Sequence, residues 1–88
     1  MKEKTLKKGD SRDSNELGSL ILMNDNVNTF DHVIKSLVEI CGHEPVQAEQ
    51  CALIVHFKGS CDVRTGPRDI LMVMSRSLNA KGLHSKVI

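Results

Sequence analysis

Aromatic side chains are nearly absent from this 88-residue chain, which has two Phe, no Tyr and no Trp. Its core must be closed by aliphatic residues, cysteine and methionine, and it lacks the aromatic platforms on which nucleic-acid bases stack. Positive charge is not concentrated either. Lys and Arg are scattered along the chain and almost balanced by Asp and Glu, for a formal net charge of +1. No basic stripe can track a phosphate backbone, so nucleic acid is not an expected partner.

Long apolar runs are missing as well. None approaches the roughly 20 residues that span a bilayer, and the opening MKEKTLKKGDSRDSNE contains no apolar signal segment. The sequence reads as a cytoplasmic protein without a membrane partner. Cys41, Cys51 and Cys61 are odd in number and form no C-x-x-C pair, which argues against a disulfide framework or a zinc knuckle. They are expected as free thiols packed like small hydrophobes.

What the chain does contain is one small domain with a charged leader. Residues 1–17 are polar, of mixed sign, and carry two isolated leucines, too little apolar surface to offset the entropy of ordering; they are expected to be a flexible N-terminal tail. Residues 18–88 form the folded domain, with an apolar first strand from Ser19 to Asn24. Phe30, Val33, Ile34, Leu37, Val38 and Cys41 then follow helical spacing, with Asn28 placed as N-cap, Asp31 as its capping-box partner and Gly42 as the stop.

Pro45 opens a second helix that ends at Gly59, and its doubly apolar second half, Cys51 to Val55, is expected to be sandwiched between other elements. Ser60 to Thr65 alternates as a strand. Gly66-Pro67 is expected to break it and start a third helix, with Ile70, Leu71, Val73, Met74 and Leu78 as its buried stripe and Gly82 as its end. Leu83 to Ile88 supplies a last strand. The order β-α-α-β-α-β, three strands and three helices, implies an α/β (α+β) two-layer sandwich.

The segment LILMNDNVNTF carries the first chemical signal. Asn24, Asp25, Asn26 and Asn28 invite comparison with a calcium loop starting at Asn24, but Thr29 stands where that loop needs Gly and Lys35 where it needs Glu; no metal or other cofactor is expected. Asx side chains can instead satisfy local backbone while Asn28 caps the helix. That leaves Asn24 and Asp25 free at a strand end. His56, in ALIVHFKG, is the second signal. Alone it reads as a half-buried core histidine, but beside acceptor-rich Asn-Asp it suits a cationic donor such as a free α-amino group.

LILMND followed by IVHFKG, in this order and spacing, resembles the ClpS family, adaptors that deliver N-end-rule substrates to the AAA+ Clp protease. The resemblance runs without a gap from about Leu20 to Gly59 and resumes over Gly82-Leu83 to Ile88. It implies the same β-α-α-β-α-β sandwich, shared with the C-terminal domain of the ribosomal stalk protein. It also implies that Asn24, Asp25 and His56 hold a substrate's α-amino group and that Asn26 helps grip its backbone. Phe30, Val33, Ala52, Val55 and Leu83 fall where the family lines a pocket for a first residue such as Phe, Tyr, Trp or Leu. The implied partners are N-degron proteins bearing such residues and the N-terminal domain of an AAA+ Clp unfoldase, which the tail is expected to engage during hand-off.

Some positions depart from the family pattern. Asn26 replaces an acidic residue, and Phe30 and Ala52 replace methionines, changing the shape of the pocket. The stretch between Gly59 and Gly82 is shorter, so the family's unfoldase-docking charges have no direct counterparts; Arg64, Arg68 and Asp69 are candidates, against a plain solvated helix start. Two other classes compete with the adaptor. An enzyme would have to use Cys51 with His56 or Cys41 with His43, yet Cys51 and His56 lie about 140° apart around a helix and no orienting carboxylate is evident. A stalk-like docking module would keep the fold and dispense with the Asn-Asp and His constellation.

Overall fold

The chain runs β1 (Leu17–Met23), α1 (Phe30–Cys41), α2 (Pro45–Lys58), β2 (Ser60–Pro67), α3 (Arg68–Ala80) and β3 (His84–Val87). This is a computed structural model that describes residues 16–25 and 27–88. The strands form one antiparallel sheet in the order β2-β1-β3. The expected mixed α/β architecture is the one observed.

Strand β1 takes the centre because its alternate residues Leu20 and Leu22 are the ones that fill the core, while Ile21 and Met23, alternating with them, are only half-buried. Leu37 and Cys41 of α1, Cys51 and Val55 of α2, and Leu71 and Leu78 of α3 close over them, and every member of this core is aliphatic or cysteine. The packing follows from a composition with almost no aromatics.

Strand β2 carries one extra residue. Its pairing with β1 passes from Leu20–Arg64 to Ile21–Asp62, which leaves Val63 in a bulge. The Val63 carbonyl meets Nε2 of the buried His43 ring at 2.7 Å. Since a carbonyl only accepts, Nε2 carries the proton, and Nδ1 is left without a partner among the described residues. At the other end of the sheet Gly18 is obligatory: a Cβ there would lie 2.7 Å from the Ile88 carbonyl oxygen and 2.8 Å from Cγ of Arg68.

Several expected boundaries move. Strand β1 starts at Leu17, inside the stretch read as tail, because Leu17 pairs with Pro67 and Gly18 with Gly66; the expectation for residues 1–15 falls outside the described residues. Those same pairs carry β2 through Gly66-Pro67, which was expected to break it. An edge strand tolerates the missing proline N–H, and Pro67 then occupies the N-cap position of α3.

The second half of α2 is not sandwiched. Cys51, Ala52 and Val55 are buried, whereas Leu53, Ile54 and Phe57 are exposed. Likewise α3 buries Leu71, Ser75 and Leu78 but exposes Ile70 and Val73. Three strands and three helices supply one covered side per helix, too few layers to hide a second apolar face.

Candidate functional site

The turn after β1 is built on Asp25. Its Oδ1 accepts from the backbone N–H of Val27 at 2.8 Å and of Asn28 at 2.9 Å, and its Oδ2 accepts from Asn28 Nδ2 at 2.8 Å. This is an Asx turn, so Asp25 is engaged with its own loop where sequence reasoning left it free. Partial burial works to raise its pKa, but the hydrogen bonds from Asn28 and Val27 and the nearby His84 outweigh it, and the carboxyl is held below its ordinary value. It stays ionised as a result.

Asn28 is not the N-cap of α1. Thr29 is, its hydroxyl accepting from His32 N–H at 3.1 Å, so the expected capping box with Asp31 does not form. The amide of Asn28 is occupied elsewhere: besides Asp25, Nδ2 donates to the Gly82 carbonyl at 2.9 Å. Nearby, His32 Nε2 meets the Lys81 carbonyl at 2.8 Å. Both bonds fasten the turn that delivers Leu83.

Asn24 is placed by a third tie. Its backbone N–H donates to the Gly59 carbonyl at 2.9 Å, which pins the end of β1 to the end of α2. Gly59, at φ 94°, is the left-handed stop of that helix, and its own N–H returns to Val55. Asn24 and His56 are thereby brought to the same corner of the molecule.

Between these ties opens a cavity of about 340 Å³. Eight residues singled out in the sequence line it, namely Asn24, Asp25, Phe30, Val33, Ala52, Val55, His56 and Leu83; Asn26 lies outside the described residues. Leu22, Met23 and Thr29 also line it and were not expected there, and Asn28, singled out as a helix cap, lines it too. Leu22 and Met23 are the end of the apolar strand, and only the position of the cavity reveals their second role. Ala52, Val55, Leu83 and Leu22 are buried and form an apolar floor, Asp25 is half-buried, and Asn24 and His56 are exposed at the rim.

His56 is therefore not the half-buried core histidine that its apolar neighbours suggest. Its ring lies 5.3 Å from that of Phe30 and 4.8 Å from that of Phe57, centre to centre, and among the described residues no hydrogen bond reaches it. An exposed imidazole, an exposed carboxamide and an ionised carboxylate around one apolar hollow can accept hydrogen bonds from a cation whose apolar part fills the hollow.

The other candidates lie apart from it. Arg64 donates to the Cys41 carbonyl at the end of α1, and Asp69 accepts from the Ile70 N–H. Arg68 lies against Gly18. Burial pushes the Cys41 thiol up, only partly offset by the charge of Arg64. Burial, the Cys51 thiol and Asp62 push Cys61 up to about 12. Neither is an activated nucleophile. No described helix is long and apolar enough to cross a membrane.

Residues 13–86 match the sequence profile of the ATP-dependent Clp protease adaptor protein ClpS. No curated protein matches the chain by sequence. Among 14 chains of solved structures that match it is ClpS2 of Agrobacterium tumefaciens, solved bound to L-phenylalaninamide. The two superpose with a TM-score of 0.79 at 18% identity, over 84% of this chain and 96% of that one. At that identity the structural likeness establishes the fold, while the profile match, over most of the sequence, establishes the kinship: the chain belongs to the ClpS family of Clp protease adaptors.

Proposed function

We propose that this protein is a non-catalytic adaptor that captures polypeptides by a free, hydrophobic N-terminal residue and delivers them to an AAA+ Clp unfoldase. One observation carries the reading: Asn24, Asp25 and His56 stand together at the mouth of an apolar cavity. Asn24, Asp25 and His56 take the α-amino group, Asn26 assists on the peptide backbone, and Phe30, Val33, Ala52, Val55 and Leu83 receive the first side chain. The domain that begins with β1 at Leu17 is the adaptor, and the residues before it serve hand-off to the N-terminal domain of the unfoldase. The ligand of the Agrobacterium relative, L-phenylalaninamide, supports this assignment, since it pairs a free α-amine with an apolar ring.

The energetics suit a reversible adaptor. Burying a Leu or Phe side chain contributes roughly 1.5–3 kcal/mol, and a hydrogen bond from the charged amine about as much. Less the cost of association, the sum falls around micromolar affinity. An internal Leu brings no cation and forfeits the charge-assisted hydrogen bonds to Asn24, Asp25 and His56, so the site discriminates chain ends from chain interiors.

The test compares two peptides beginning with Leu or Phe, one with a free and one with an acetylated N-terminus, by fluorescence anisotropy. Only the free form is expected to bind; equal binding of both would falsify amine recognition. Asn24→Ala and His56→Ala should each weaken the free peptide by about 1–3 kcal/mol. Both side chains are exposed, so thermal stability should be little changed. A stalk-like docking module would be indifferent to either substitution.

A further inference from the structure

The chain owns two aromatic rings, Phe30 and Phe57, and neither is in the core. Both lie against one imidazole, that of His56, at centroid distances of 5.3 and 4.8 Å. Phe30 is 44% exposed and Phe57 77% exposed. A protein that keeps both phenylalanines out of its core, one lining the cavity and the other against the imidazole at its rim, has placed them where burial on folding does not repay their exposure. A ligand that covers them does.

The two rings differ in reach. Phe30 lines the cavity, on one side of His56, whereas Phe57 is absent from the cavity wall and meets the imidazole edge-on at 82°. Resting on the amine-and-pocket reading, a bound N-terminus puts its first side chain in the cavity and its amine against His56. Its second Cα then stands 3.8 Å from the first, and in an extended chain the second side chain points away from the cavity. It leaves by the mouth that His56 lines, and the exposed Phe57 ring lies 4.8 Å from that imidazole, centre to centre.

We propose that Phe57 forms a second subsite that receives the side chain of residue two of the bound polypeptide and favours an aromatic or large aliphatic group there. The amine and the first residue license capture, and Phe57 grades it. Its chemistry is apolar contact and edge-to-face stacking, so Ser or Asp at position two gains nothing from it.

The experiment uses the full chain and four free-amine peptides identical but for position two: Leu-Phe, Leu-Leu, Leu-Ser and Leu-Asp. Leu-Phe is expected to bind about five-fold tighter than Leu-Ser, the scale of one exposed aromatic contact. In Phe57→Ala that ratio should fall to near one, and in Phe57→Tyr it should survive. A ratio near one in the unaltered chain, or a ratio preserved in Phe57→Ala, overturns the subsite, including the case where both peptides weaken in parallel because Phe57 merely props His56. Binding of Leu-Ser with no position-two preference would sink the subsite and leave amine capture standing. Failure of every free-amine peptide would sink both.

Discussion

Asn28 is the side chain on which the rim depends. One amide group holds Asp25 Oδ2 and the Gly82 carbonyl together, so the ionised acceptor and the turn before Leu83 move as a unit. The lowered pKa of Asp25 has a defined pH consequence. Its charge, and any hold it has on an amine, is present above that lowered value and is lost as pH falls through it. Replacing the donor by a carboxylate reverses the sense of the contact. In Asn28→Asp a like charge faces Asp25, which raises its pKa. The acid limb of peptide binding should therefore move to higher pH, as read by anisotropy titrations of the two proteins. Identical limbs would remove Asp25 from the amine's partners. Asn28→Ala, which only deletes donors, should cost about 1–2 kcal/mol of stability. At the basic end both proteins should lose the peptide together, as its own α-amine, with a pKa near 8, gives up its proton.

A buried bond, His43 Nε2 to the Val63 carbonyl, ties the bulge in β2 to the loop between α1 and α2. In His43→Ala that carbonyl is stranded, at a cost of about 1–3 kcal/mol. Thermal unfolding should fall by roughly 4–8 °C for each of those kcal/mol in a domain of this size. His43 does not line the cavity, so peptide affinity at a temperature where the variant is folded should be unchanged. How much of this was legible in the sequence depends on how local each determinant is. Gly42 and Gly59 stop their helices as the spacing predicts, because a left-handed glycine needs only its own helix. The reach of β1 and β2 to Leu17 and Pro67 depends on pairing between residues far apart in the sequence, and no local breaker signal reports that. The site divides the same way. Its members came from motif resemblance, and the fold gathers eight of them at one cavity. The true duty of Asn28 went unseen because its partner Gly82 is 54 residues away and Thr29, one step on, could cap the helix equally well.

A three-stranded sheet has two edges and only one protected centre, so a chain this small must keep its edges from pairing with other copies. On one side β2 does so with its bulge at Val63, its terminal Pro67 and the exposed, charged Asp62 and Arg64. On the other side β3 is blocked by a single side chain. Asn79 of α3 offers its Oδ1 to the Ser85 N–H at 2.8 Å and its Nδ2 to the Ser85 carbonyl at 3.4 Å, imitating the next strand. The Ser75 and Ser85 hydroxyls, 2.7 Å apart, hold helix and strand in register for it. Asn79→Ala uncovers one donor and one acceptor at the middle of the open edge. Sedimentation velocity across a concentration series should then show more self-association than the unaltered chain. Asn79→Asp, which keeps the acceptor for the Ser85 N–H, should fall between the two. If all three proteins sediment alike, the edge is guarded by its shortness and not by Asn79. The distinction bears on capture, because Leu83, on the cavity floor, immediately precedes β3: a second copy added along that strand would crowd the mouth of the site the protein keeps open.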